Sequence, residues 1–147
     1  MRQSGFTLLE MVFVIMIVSI LSSVAIPKLA DTSSAARAAV MKSAASTIRS
    51  SAEYTRGLYL MQREREDLLV IVDAEIRVLR GYPVPGSIQE AAGLSEEDFY
   101  VNVLDQKAMI YPKGIPINDN CSIRYYGPST DGFITKPPKV EIKTISC

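Results

Sequence analysis

From Phe6 to Ile26 nearly every position is apolar, the exceptions being Thr7, Glu10 and a few serines. A run of about twenty such residues is long enough to cross a bilayer as a helix. From Lys28 the pattern changes. The chain to about Arg56 is rich in alanine, with no proline or glycine until Gly57, and reads as helix. Within it Val40, Met41, Ala44, Ile48, Ala52 and Tyr59 recur at spacings of mostly three and four, a stripe that should face a sheet. Lys42, Arg49, Glu53 and Arg56 should lie largely outside the stripe. If both segments are helical, one nearly continuous helix runs from Phe6 to about Tyr59, roughly 80 Å long. Pro27 should kink or loosen it, because proline lacks a backbone donor and clashes with the preceding turn.

Beyond a charged turn, Gln62 to Asp67, the period shortens. Leu68 to Val72 and Glu75 to Leu79 read as short strands and are followed by the Pro/Gly-rich stretch from Gly81 to Gly86. Ser87 to Ala92 reads as a short helix, with Ser87 as N-cap and Glu90 three residues on, forming a capping box. Phe99 to Leu104, Ala108 to Tyr111, Ser122 to Tyr126 and Val140 to Ile145 read as strands separated by turns. A long helix over residues 6–59 followed by a run of strands predicts an α+β fold, with an antiparallel sheet packed on the C-terminal half of the helix. No internal repeat interrupts this order.

Composition narrows the function. A chain of 147 residues suits one modest domain plus one membrane segment. Lys plus Arg and Asp plus Glu number 16 each, so no overall field favours nucleic acid or an anionic surface. Histidine and tryptophan are absent, which removes the commonest general base and zinc ligand. No Ser/His/Asp, Cys/His or Gly-rich phosphate-binding pattern is present, so neither catalysis, nor a metal, nor a cofactor is expected. The two cysteines, Cys121 and Cys147, would form a disulfide if the N-terminal segment directs the rest of the chain into an oxidising compartment. Closing that loop is worth roughly 3–4 kcal/mol by loop entropy.

Glu10 is the anomaly. A carboxylate in hydrocarbon costs at least about 2.5–3.5 kcal/mol, so it needs a partner or a place away from lipid. A secretory signal cleaved after Ser23-Val24-Ala25 leaves Glu10 unexplained. A plain anchor tolerates it only by snorkelling to the interface. A third reading uses every residue.

Ser4-Gly5-Phe6-Thr7-Leu8-Leu9-Glu10 resembles the processing site of type IV prepilins: a short basic leader ending in glycine, then phenylalanine, a glutamate at the fifth mature position and a long apolar helix. The resemblance implies a leader of residues 1–5, cut between Gly5 and Phe6 by a prepilin peptidase that also methylates the new amine of Phe6. Gly5 suits that cut because it has no side chain to obstruct the protease. Residues 6–27 would then be retained as the membrane and assembly helix, with residues 28–147 as the globular domain. Pro27 falls where type IV pilins commonly have a proline, whereas Ser19 stands near where many have a helix-weakening glycine.

In a staggered assembly the Glu10 carboxylate of one subunit can face the Phe6 amine of a neighbour, each charge neutralising the other. Such a head-to-tail contact does not close, and its repetition gives a helical filament. The resemblance also implies work with the inner-membrane assembly machinery, then export as an extracellular filament.

A disulfide-bounded C-terminal region, here residues 121–147, is common in pilins and absent from many pseudopilins. Gly81-Tyr82-Pro83, Ile110 to Gly114, Cys121 with Ile123-Arg124-Tyr125, and Pro137 to Thr144 resemble mannose-sensitive haemagglutinin (MSHA) type pilins of Gram-negative bacteria, which attach cells to surfaces. A minor pilin or a type II secretion pseudopilin stays open at this point.

The remaining features read plainly. Arg63 to Asp67 suits a solvated helix end or loop, and Glu96-Glu97-Asp98 after Ser95 suits a helix start, where the dipole favours acids. Lys136, Lys139 and Lys143, with Tyr125 and Tyr126 near them in sequence, could hold glycan or DNA weakly, and a surface glycan or abiotic surface is the target that an adhesive filament implies. Solubilising and strand-face roles suffice to explain them, and DNA is not an expected partner.

Overall fold

The computed structural model describes residues 6–62, 68–71, 74–131 and 134–147. The leader with Gly5, the charged stretch 63–67 and Val72 lie outside the described residues. Helix α1 spans Leu8–Met61 and passes position 27 in the helical state. One missing donor removes one rung of a ladder whose other rungs remain. Two compact units divide the chain, Met1–Ala36 and Arg37–Cys147.

In the second unit, strands β1 (Leu68–Ile71), β2 (Ala74–Leu79) and β3 (Tyr82–Pro83) form a small antiparallel sheet. A single 3-10 turn over Pro85–Ser87 leads into α2 (Ile88–Ala91). The main sheet follows, with β4 (Phe99–Leu104), β5 (Lys107–Pro112), β6 (Cys121–Tyr126) and β9 (Lys139–Thr144) in the order β4-β5-β6-β9, every pair antiparallel. Between β6 and β9 a hairpin, β7 (Ser129–Asp131) and β8 (Ile134–Lys136), stands apart from that sheet. The fold is α+β, as the periodicity predicts.

The core forms where the stripe of α1 meets the inner face of the main sheet. Met41, Ala45 and Ile48 are buried among Ala108, Ile110, Ile123 and Tyr125. Registers align Val101, Ile110, Ile123 and Ile142 as one row across all four strands. The helix offers mostly small side chains, so sheet and helix can approach closely. Thr55, fully buried in the same stripe, donates its hydroxyl to the Ala52 carbonyl oxygen at 2.9 Å and leaves no orphaned donor. Val40 departs from the expected stripe. It is 53 % exposed, because the buried line runs through Met41, Ala44, Ala45 and Ile48 and Val40 lies to one side of it.

A satellite core of Tyr59, Leu69, Ile76 and Val78 joins the end of α1 to the small sheet. The Arg56 guanidinium lies over Tyr59 and Tyr82, 5.8 and 5.4 Å from the ring centres, and donates to the Arg80 carbonyl oxygen. Gly81, at φ +92°, turns the chain between β2 and β3. A Cβ there would stand 2.8 Å from the Tyr59 side chain, so only glycine fits both the angle and the space.

Two local expectations are corrected. Ser87 precedes α2 but makes no side-chain cap. Its Oγ accepts the Arg77 N–H at 3.2 Å instead, serving the neighbouring strand. Residues 96–98 form a turn and not a helix start. Ser95 Oγ accepts the Glu97 N–H at 3.1 Å, and its carbonyl takes the Phe99 N–H at 3.1 Å, so the same capping chemistry closes one turn and delivers the chain to β4.

Candidate functional site

Helix α1 starts by a specific device. Thr7 Oγ1 accepts the Glu10 N–H at 3.3 Å and the Thr7 carbonyl accepts the Met11 N–H at 3.3 Å, so Thr7 is the N-cap and Glu10 falls at the third helical position. The spacing Thr-x-x-Glu of a capping box would have revealed this from sequence. The carboxylate sits in the first turn, where the partial positive charge of the helix end favours it.

Leu8–Ile26 is a segment of 19 residues apolar enough to span a membrane, and none of it is buried among the described residues. At 1.5 Å per residue it reaches about 28 Å, the thickness of a hydrocarbon core. Leu8 is 82 % exposed and Ile20 69 %, and the intervening apolar side chains are exposed all round. A helix apolar on every face needs an apolar environment on every face.

The serines in this span cause no difficulty there. Ser19, Ser22 and Ser23 donate to the carbonyl oxygens of Ile15, Val18 and Ile20, each at 2.7 Å. Their hydroxyl protons are therefore satisfied within the helix. Glu10 differs: it is the one charged side chain between Leu8 and Ile26 and makes no ion pair among the described residues. Phe6, just before the cap, is 77 % exposed. Pro27 belongs to the same helix.

The second group of sequence-predicted residues lies in the other unit. Cys121 and Cys147 are joined by a disulfide, their Cα atoms 5.0 Å apart. Around it the strand ends are tied together. Asn120 carbonyl oxygen accepts the Ile145 N–H at 2.9 Å, and Arg37 of α1 donates from Nη1 to the Cys147 carbonyl oxygen at 3.2 Å. Asp119 gathers the Tyr111 hydroxyl on Oδ1 at 3.1 Å and Arg124 at 3.8 Å. Burial first, and then Asp119, push the Tyr111 phenol above its ordinary value.

The proposed tyrosine and lysine surface is only half present. Tyr125 is fully buried, its hydroxyl donating to the Pro83 carbonyl oxygen at 2.6 Å, because strand alternation turns it toward the helix. Tyr126 lies on the opposite face, and its hydroxyl donates to Glu141 at 3.4 Å. Lys139 pairs with Glu141 at 2.6 Å, and Lys143 is exposed on the same strand.

Residues 1–26 match the family model of the prokaryotic N-terminal methylation motif. The chain carries a prepilin-type N-terminus. That match supports a type IV pilin-like or pseudopilin-like subunit, a class that is structural and not catalytic. With the apolar helix it fits insertion into a membrane followed by assembly, and it implies processing by a prepilin peptidase. Neither the curated proteins nor the solved structures contain a match to the chain.

Proposed function

We infer that the chain is the structural subunit of a type IV pilus of the MSHA type, an extracellular filament that attaches cells to surfaces. The observation that supports this reading is the coincidence of the methylation motif over residues 1–26 with a helical span, Leu8–Ile26, whose large apolar side chains are exposed. Cleavage after Gly5 gives Phe6 a charged amine within one helical turn of Glu10. In a staggered bundle that amine would meet the Glu10 of a neighbour, so correct register is rewarded and an isolated subunit keeps an unpaired charge in hydrocarbon. The apolar side chains supply the buried area and the charge pair supplies register.

The disulfide between Cys121 and Cys147 favours a pilin over a pseudopilin on the resemblance stated above. Partners on this reading are further copies of the chain, the prepilin peptidase and the inner-membrane assembly machinery, with a surface glycan or abiotic surface as the adhesive target. The mass of the mature N-terminus tests it. An N-methylated Phe6 start is expected, whereas a start at Ile26 or an intact Met1 would overturn it. Gly5→Val should leave unprocessed precursor in the inner membrane and no filament, with the disulfide still formed.

A further inference from the structure

The two outer strands of the main sheet, β4 and β9, differ in the sign of their charge. Glu96, Glu97 and Asp98 precede β4 and Asp105 follows it, all four exposed. Two cations stand near these acids: Lys113 donates to the Glu96 carbonyl oxygen, and the half-buried Lys107 pairs with Leu104 across the turn that carries Asp105. The β9 edge presents Lys139 and Lys143, both exposed. Glu141 between them pairs with Lys139 at 2.6 Å and accepts the Tyr126 hydroxyl at 3.4 Å, so that pair is neutral as it stands and Lys143 carries the net positive charge of this edge. On the helix side of this edge Arg49 adds a cation, donating to the Val140 carbonyl oxygen at 3.1 Å, with Glu53 a turn further along.

The register fixes where these charges stand. Leu104 pairs with Lys107, Lys107 with Tyr126 and Tyr126 with Lys139, so Asp105 and Lys139 lie at the same end of the sheet on opposite edges. Phe99 pairs with Pro112, and Lys143 lies opposite Ser122, so residues 96–98 and Lys143 share the other end. A second copy displaced sideways and not turned over would set Lys139 against Asp105 and Lys143 against Glu96 to Asp98. A two-fold contact through either edge alone would set like charges together, which is disfavoured. Beside the acidic edge Tyr100, Val103 and Leu104 are 45, 46 and 47 % exposed, so apolar surface is available for such a contact.

We propose that the β9 edge of one copy docks beside the β4 edge of the next, a head-to-tail contact between globular units set by this charge complementarity. The inference rests on the filament reading for what brings the copies together. Its partner is a second copy of this chain, and the repulsion between identical edges gives the contact its direction.

The test uses the full-length chain with reversals at each edge. Lys139→Glu with Lys143→Glu, and separately Glu96→Lys with Glu97→Lys and Asp105→Lys, should each lower the yield of sheared filament about tenfold or more. Both should leave the processed subunit and its disulfide at normal levels. All five changes on one chain restore opposite signs, and filament yield should return to within about threefold of the original. Single-edge variants that assemble normally, or a combined variant no better than they are, would overturn the proposal. Carbodiimide treatment of sheared filaments of the unmodified chain adds a measure independent of filament yield. Lys143 crosslinked to residues 96–98 of another copy is expected, and absence of that crosslink refutes the contact. Failure of the unmodified chain to form any filament would instead refute the pilus reading.

Discussion

Between Leu8 and Ile26 helix α1 leaves every large apolar side chain exposed, whereas between Met41 and Tyr59 the same helix buries one face almost completely. The difference lies in how the apolar residues are arranged. The first stretch is apolar all round, so no single face can be covered by a sheet. The second is a stripe of small and medium side chains beside Lys42, Arg49 and Glu53, and a sheet can cover it. Stability accordingly has two sources. The first stretch has its backbone ladder, the Thr7 cap and whatever apolar medium surrounds it. The second has tertiary packing, the usual source of helix stability in water.

The strongest way to break this contrast is to remove the one charge from the first stretch. Glu10→Ala should leave the processed subunit in the membrane at an unchanged level, or raise it, because insertion becomes easier. Filament yield should fall about a hundredfold or more, since breaking a buried pair costs about 3–5 kcal/mol. Undiminished filament would confine Glu10 to the membrane interface or to processing.

The second stretch should answer to changes that the first does not feel. Replacing Cys121 and Cys147 together by serine should lower the stability of the full-length chain in detergent by roughly 3–4 kcal/mol, measured by denaturant unfolding. Membrane insertion should not change. Tyr125→Phe leaves the buried Pro83 carbonyl oxygen without its donor and should cost about 1–3 kcal/mol.

Tyr125 also gives a pH signature. Burial first, and Tyr82 second, push its phenol well above the ordinary value of about 10. A raised folded value means that the unfolded chain releases the proton sooner. Stability is therefore full below about pH 10 and falls as pH rises beyond it. The Tyr125→Phe variant should lose part of that alkaline decline and keep the part due to Tyr111, whose phenol is also raised. Smallest of all, Ile48→Val should cost about 0.5–1.5 kcal/mol in the same unfolding measurement and leave filament register untouched.

The parts of this molecule that could be read in the sequence are those governed by neighbours along the chain. The 3.6-residue stripe on α1, the main strands and the prepilin-type N-terminus are all local patterns. What escaped was set by distant partners. Ser87 has the sequence of a cap, yet Arg77 of β2 takes its hydroxyl oxygen. Tyr125 and Tyr126 are adjacent and similar, and only the sheet's orientation toward α1 sends the first to the core. Strand β3 hides in a stretch rich in proline and glycine because its two residues are held by pairing with β2. The β7–β8 hairpin carries turn-forming residues and little apolar signal. Thr7 is the opposite case, a local device whose Thr-x-x-Glu spacing sits inside a longer motif that draws attention to Glu10.

The row Val101, Ile110, Ile123 and Ile142 also has a consequence in time. A ribosome delivers α1 long before β9, and the stripe centred on Met41 and Ile48 has no lasting cover until the row is complete. Contacts so far apart in the chain form slowly, and the exposed surface is sticky while they wait. On the filament reading, the membrane-inserted first stretch keeps each newborn chain tethered during that delay. Nascent copies are thereby spread over a surface, where encounters between half-made cores are restrained by the tether.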